Sequence, residues 1–83
     1  MTKMEFDTLL DKASSGDVKS MRILANICYK MVEAGTSAGD IKMATTFMGV
    51  GDGWRKLSEQ GGGFGSVSDE VKNFTRDAFS SCF

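Results

Sequence analysis

Apolar residues recur along this chain at intervals of three and four, the period that lines up one face of an α-helix. Phe6, Leu9, Leu10 and Ala13 make the first stripe. Ahead of it stands Thr2-x-x-Glu5, the spacing of a capping box, in which each side chain answers the other residue's backbone N–H. The pattern predicts a helix over about residues 3–14, ended by Ser14-Ser15-Gly16. Asp17 then suits an N-cap, and Met21, Leu24, Ala25, Cys28, Met31 and Val32 predict a second helix over about 18–34. Gly35 follows where a left-handed C-cap is wanted.

Ser37-x-x-Asp40 opens a third segment, and Ile41, Ala44, Phe47, Met48, Gly51, Trp54 and Leu57 carry its stripe to about residue 60. Gly49, Gly51 and Gly53 alternate through its middle. Each costs about 1 kcal/mol relative to alanine in a helix interior, so the pattern predicts a kink there, or a break. Gly61-Gly62-Gly63-Phe64-Gly65 reads as a flexible connector. Ser66-x-x-Asp69 looks like another capping box. Behind it, Val67, Val71, Phe74, Ala78 and Cys82 give a last helix its inner face, with Phe79 and Phe83 on one flank. No stretch alternates with period two for long enough to be a strand. The expected class is all-α: a small bundle of about four helices built on a helix-turn-helix hairpin.

Composition agrees and narrows the function. The 83 residues make one small helical domain, 1–83, with a core of modest size. There is no proline, which suits helices punctuated by glycine. Hydrophobic residues are 41% of the chain and charged ones 25%, an ordinary globular balance. The net charge of −1 comes from interspersed signs, so no basic field faces a nucleic acid backbone, and nucleic acid is not an expected partner. The opening MTKMEFDTLL is broken by acids and is not read as a signal peptide, and no segment is apolar enough to span a bilayer. A cytoplasmic protein with no membrane contact is expected. Cys28 and Cys82 are far apart and form no CxxC. With no histidine, they cannot complete a structural zinc site, and two reduced, half-buried thiols are the expectation.

Between Ala13 and Gly61 the chain resembles one Sel-like repeat, a relative of the tetratricopeptide repeat. Ala13-Ser14-Ser15-Gly16-Asp17 fits the family's A-x-x-G-D opening, Ser20 takes a small-residue place, and Leu24-Ala25 fits an L-G pair. Asp40 and Ala44 fit its D-x-x-x-A segment. Trp54-Arg55-Lys56-Leu57-Ser58-Glu59-Gln60-Gly61 is similar to its W-Y-x-K-A-A-E-Q-G close, one residue short. Tyr29 falls one position late, and Phe47 already stands where the family's Trp would be. The resemblance implies an α-solenoid type of helix pair. Small residues let its backbones approach, and Leu24, Phe47 and Trp54 fill the gaps.

Little here points to catalysis. The usual general base, histidine, is missing, and no nucleophile-elbow pattern occurs. Asp69-Glu70 are paired carboxylates, but in a helix's first turn they serve its dipole. No catalytic residue, no metal and no cofactor are assigned. The glycine run is one candidate for ligand chemistry. Gly61, Gly62 and Gly63, leading to a helix N-terminus at Ser66, could offer backbone N–H groups to an anion, with Arg55 and Lys56 close by. A plain linker explains the same residues, and the absence of GK[ST] argues against an NTPase. Met21, Met31, Met43 and Met48 read either as core filler or as an adaptable surface.

The sequence therefore predicts a small non-catalytic interaction module, an adaptor or inhibitor that covers a protein partner's surface. A phage-encoded modulator of a host system would have this size. The alternative is a module that captures a phosphate-bearing ligand or nucleotide at residues 61–66. Trp54 is expected inside, with residues 54–60 as the end of a packed helix, and Phe74 in the core. Phe79 and Phe83, with Met48, are the expected interaction surface. Such an apolar patch on a small domain predicts a homo-oligomer, most simply a symmetric dimer.

Overall fold

The computed structural model describes residues 1–61 and 67–80. They form four helices and no strand: α1 (Lys3–Ser14), α2 (Val18–Ser37), α3 (Ile41–Glu59) and α4 (Asp69–Phe79). The all-α class is as expected.

Local chemistry sets most of the boundaries. Thr2 and Glu5 form the capping box at α1: the Thr2 hydroxyl accepts from the Glu5 N–H, and the Glu5 carboxylate from the Thr2 N–H, both at 3.2 Å. The Thr2 backbone and then its hydroxyl hold the Glu5 carboxyl below its usual range. Gly16 turns the chain at φ 105°, a conformation that favours glycine. Asp17 is the N-cap of α2, yet its carboxylate accepts from the Ser20 hydroxyl rather than from a backbone N–H.

Two glycines in the middle of the chain do different work from that expected. Gly35 does not end α2; the helix runs on to Ser37, and Gly39 takes the left-handed position at φ 74°. Gly35 is buried against the start of α3, where a Cβ would lie 3.1 Å from the Asp40 carbonyl oxygen and the Ala44 nitrogen. Gly51 plays the same part farther along. A Cβ there would meet the Cys28 Cβ at 3.0 Å and the Tyr29 ring at 3.1 Å. Both glycines let α2 and α3 press together, and these two helices make the most extensive contact in the fold. The predicted kink at Gly49–Gly53 is absent, because α3 is continuous from Ile41 to Glu59. Buried Phe47, Val50 and Trp54 hold that segment helical, and packing overrides weak intrinsic propensity.

α3 starts at Asp40, whose side chain accepts from the Met43 N–H at 3.0 Å, and stops with Gly61 at φ 83°. α4 starts at Ser68, whose hydroxyl accepts from the Val71 N–H, two residues later than the Ser66 box would place it. Ser66 itself lies outside the described residues. The Val67 N–H donates to the Ser14 carbonyl at 2.7 Å and ties the entry of α4 to the end of α1.

α4 lies against both α1 and α3 and closes the core. Phe79 provides the closure, its ring centroid 4.5 Å from that of Phe6 on α1 and 4.8 Å from that of Phe47 on α3. This reverses two expectations. Phe79, read as an exposed flank residue, is 2% exposed, and Phe74, read as core, is 58% exposed. The inward row of α4 is Val71, Thr75 and Phe79, at i, i+4 and i+8, with Ala78 beside it. Phe74 precedes Thr75 by one residue and so projects from the side of the helix. The polar Thr75 hid the row in the sequence. Its hydroxyl accepts from the Trp54 indole N–H at 2.9 Å and donates to the Val71 carbonyl at 2.8 Å, so it is buried without an unsatisfied group. Trp54 is fully buried, as expected.

Candidate interaction groove between α3 and α4

An open groove of about 660 Å³ runs between α3 and α4. Val50 and Trp54 on α3, with Val71 and Thr75 on α4, make its floor. One wall is Gly49 and Gly53, one helical turn apart, and neither would bring a Cβ within 4 Å of another group. That flank of α3 is bare backbone. Facing it is Phe74, the most exposed aromatic ring among the described residues.

Charge on α4 is sorted by side. Lys72 points to α1 and pairs with Asp11 at 2.9 Å. Arg76 lies beside Asp7 in the cleft against α1. The opposite flank carries Glu70 and Asp77, which are the only charged residues lining the α3–α4 groove; Asp77 also borders the cleft with Arg76. Neither has an ion-pair partner among the described residues. A second shallow groove, about 560 Å³, lies between α1 and α2 with exposed Met4 and Ile23. Its rim mixes Glu5 and Asp17 with Lys12 and Lys19, so it carries no net sign.

The residues singled out in the sequence are not gathered into one site. Met48 is 43% exposed but does not line the groove with Phe74, and Phe79 is in the core. Phe83 lies outside the described residues, as do Gly62, Gly63 and Ser66 and therefore most of the expected anion loop. Of that loop's companions, Gly61 is the left-handed stop of α3. Arg55 is engaged by acids of its own helix, Asp52 at 3.9 Å and Glu59 at 3.7 Å. Lys56 is exposed in the last turn of α3, where a cation suits the helix dipole. Asp52 also accepts from the Tyr29 hydroxyl at 2.6 Å, and that bond raises the Tyr29 pKa. Tyr29, Asp52, Arg55 and Glu59 thus form a strap across α2 and α3.

No nucleophile stands next to a base in the groove. Cys28 is fully buried rather than half-buried, and desolvation pushes its thiol up to about 12, far from the thiolate a nucleophile or metal ligand requires. Cys82 lies outside the described residues. Among the described residues no three metal-binding side chains cluster, and no helix is long and apolar enough to cross a membrane. The groove has the means to bind an apolar segment and to orient it by charge. Sequence reasoning missed it because it rests on Phe74 and on two glycines that read only as helix breakers. The available signal was the i, i+3, i+7 set of Glu70, Asn73 and Asp77 around Phe74, a polar side of α4 interrupted by one large ring. No protein-family model, curated protein or solved structure matches the chain.

Proposed function

We propose that this chain is a non-catalytic protein–protein interaction module that acts by laying its α3–α4 face on a protein partner, as an adaptor or an inhibitor. The observation that carries the reading is Phe74, 58% exposed beside an apolar groove, while Phe6, Phe47, Trp54 and Phe79 are buried. Leaving such a ring in water forgoes burial worth about 1.5–3 kcal/mol, which a partner can recover. The Sel-like resemblance favours the same reading, since it falls on the α2–α3 hairpin and repeats of that type work by presenting helix faces. The buried thiol of Cys28 suits a reducing, cytoplasmic setting. Self-association was expected from Phe79 and Phe83. With Phe79 in the core, it offers no surface for that contact.

The test is recovery of interacting proteins with the wild-type chain and with Phe74→Ser, alongside thermal unfolding of both. A partner retained by wild type and lost by a variant that still unfolds cooperatively supports the reading. A partner bound equally by both removes the groove from the function.

A further inference from the structure

Resting on that reading, we infer that the α3–α4 groove receives a single amphipathic helix whose flanking residues are basic. Three features of the groove converge on this occupant. The Gly49–Gly53 wall has no side chain, so another helix can approach α3 at backbone distance with its apolar row against Phe74 and the half-buried Val71. The charged lining is of one sign: Glu70 and Asp77 line the groove, while Lys72 is held towards α1 by Asp11 and the Arg76 guanidinium donates to Asn73 of its own helix. A lysine or arginine flanking an apolar stripe would meet these carboxylates, which have no ion-pair partner in their own chain among the described residues. The same sorting disfavours a second copy of this chain in the groove, because a twofold contact centred there would gather the Glu70 and Asp77 carboxylates of both copies in one interface. The α1–α2 groove shows the contrast, its mixed rim selecting neither sign.

The glycine wall makes a clean test possible. At Gly53 an added Cβ meets nothing within 4 Å, so Gly53→Leu starts from open space and is expected to keep the fold while its side chain occupies the groove. A displayed library of helical peptides, each with one apolar stripe and randomised flanks, is selected against the full chain. Enriched peptides are expected to be basic, to bind Gly53→Leu at least about tenfold more weakly, and to lose a similar factor on the double variant Glu70→Gln with Asp77→Asn at low salt. Circular dichroism melts confirm that each variant is folded. Enriched peptides that are neutral or acidic, yet still depend on Phe74, overturn the basic helix and leave the docking face standing. Peptides indifferent to both Gly53→Leu and Phe74→Ser overturn the groove itself. Sedimentation showing a wild-type dimer that Gly53→Leu splits assigns the groove to a second copy and also overturns the inference.

Discussion

Replacing Thr75 with valine removes one oxygen atom from the protein at almost constant volume, and the structure says what that atom is worth. The Thr75 hydroxyl is the acceptor for the Trp54 indole N–H at 2.9 Å, and both residues are buried. In Thr75→Val the N–H stays buried with no acceptor, which costs about 1–3 kcal/mol. Thr75→Ser keeps the acceptor and removes one methyl group, worth about 0.8 kcal/mol by transfer. The expected order of stability is therefore wild type, then serine, then valine, although valine is the more hydrophobic choice for a buried site. A fold of this length is stable by something on the order of 5 kcal/mol, so the valine variant forfeits a large share. Urea denaturation followed by the fluorescence of Trp54, the only tryptophan, reads the difference at the probe itself. Hydrogen exchange locates it: amides of α4 should open before those of α2 and α3, because the Trp54–Thr75 bond joins α4 to α3. Valine more stable than serine, or a loss spread evenly over all four helices, refutes this account.

Other outcomes follow from the same contacts. Gly51→Ala should destabilise by about 1–3 kcal/mol through its clash with Cys28 and Tyr29, whereas Gly53→Ala, with open space at its Cβ, should stabilise by up to about 1 kcal/mol; equal effects in chemical denaturation would contradict the glycine assignment. Because the Asp52 bond raises the Tyr29 pKa, the neutral phenol is the form the fold favours. Its contribution should be complete below the ordinary tyrosine value of about 10 and fade as pH rises through the raised one, a slope that Tyr29→Phe abolishes in pH-dependent melts. With Cys82 replaced by serine, labelling of Cys28 by a thiol reagent should track global unfolding, and labelling at the rate of a free thiol would contradict its burial.

What could be read from the sequence divides by the range of the interaction responsible. Thr2–Glu5 announced its helix because a cap is made within one turn, and the structure keeps it; the Ser37-x-x-Asp40 signal is displaced, since Ser37 is the last residue of α2 and Asp40 itself caps α3. α1 and the α2–α3 stripes could be read because apolar residues dominate their inner faces, with only the small polar Ser14, Ser20 and Ser58 buried among them. The glycines could not, since Gly35, Gly51 and Gly53 look alike in one dimension while two sit under a neighbouring helix and one faces open space. α4 was misread for a related reason. Its inward row runs through Thr75, and only the distant Trp54 makes that threonine an interior residue. The rotation of α4 then fixed which phenylalanine was left outside, so one missed hydrogen bond misplaced the site as well.

The same hydrogen bond links stability to the proposed function. α4 is the shortest helix and makes far fewer contacts than the α2–α3 pair. It is held by Phe79 between Phe6 and Phe47, by Thr75 on Trp54, by Lys72 on Asp11 and by the Val67 N–H on Ser14. One wall of the groove is α4 itself, so the groove exists only while α4 is docked. A partner that binds this form and not the undocked one must, by linkage, stabilise the docked helix by the same free energy it gains from finding it ready. Thr75→Val touches no exposed atom of the groove rim, yet it should weaken a groove-bound partner in proportion to the fraction of chains in which α4 has left α3. A variant of the rim such as Glu70→Gln should weaken the same partner without loosening α4. Measured together, affinity and α4 hydrogen exchange separate the two: they change in step for Thr75→Val and independently for Glu70→Gln.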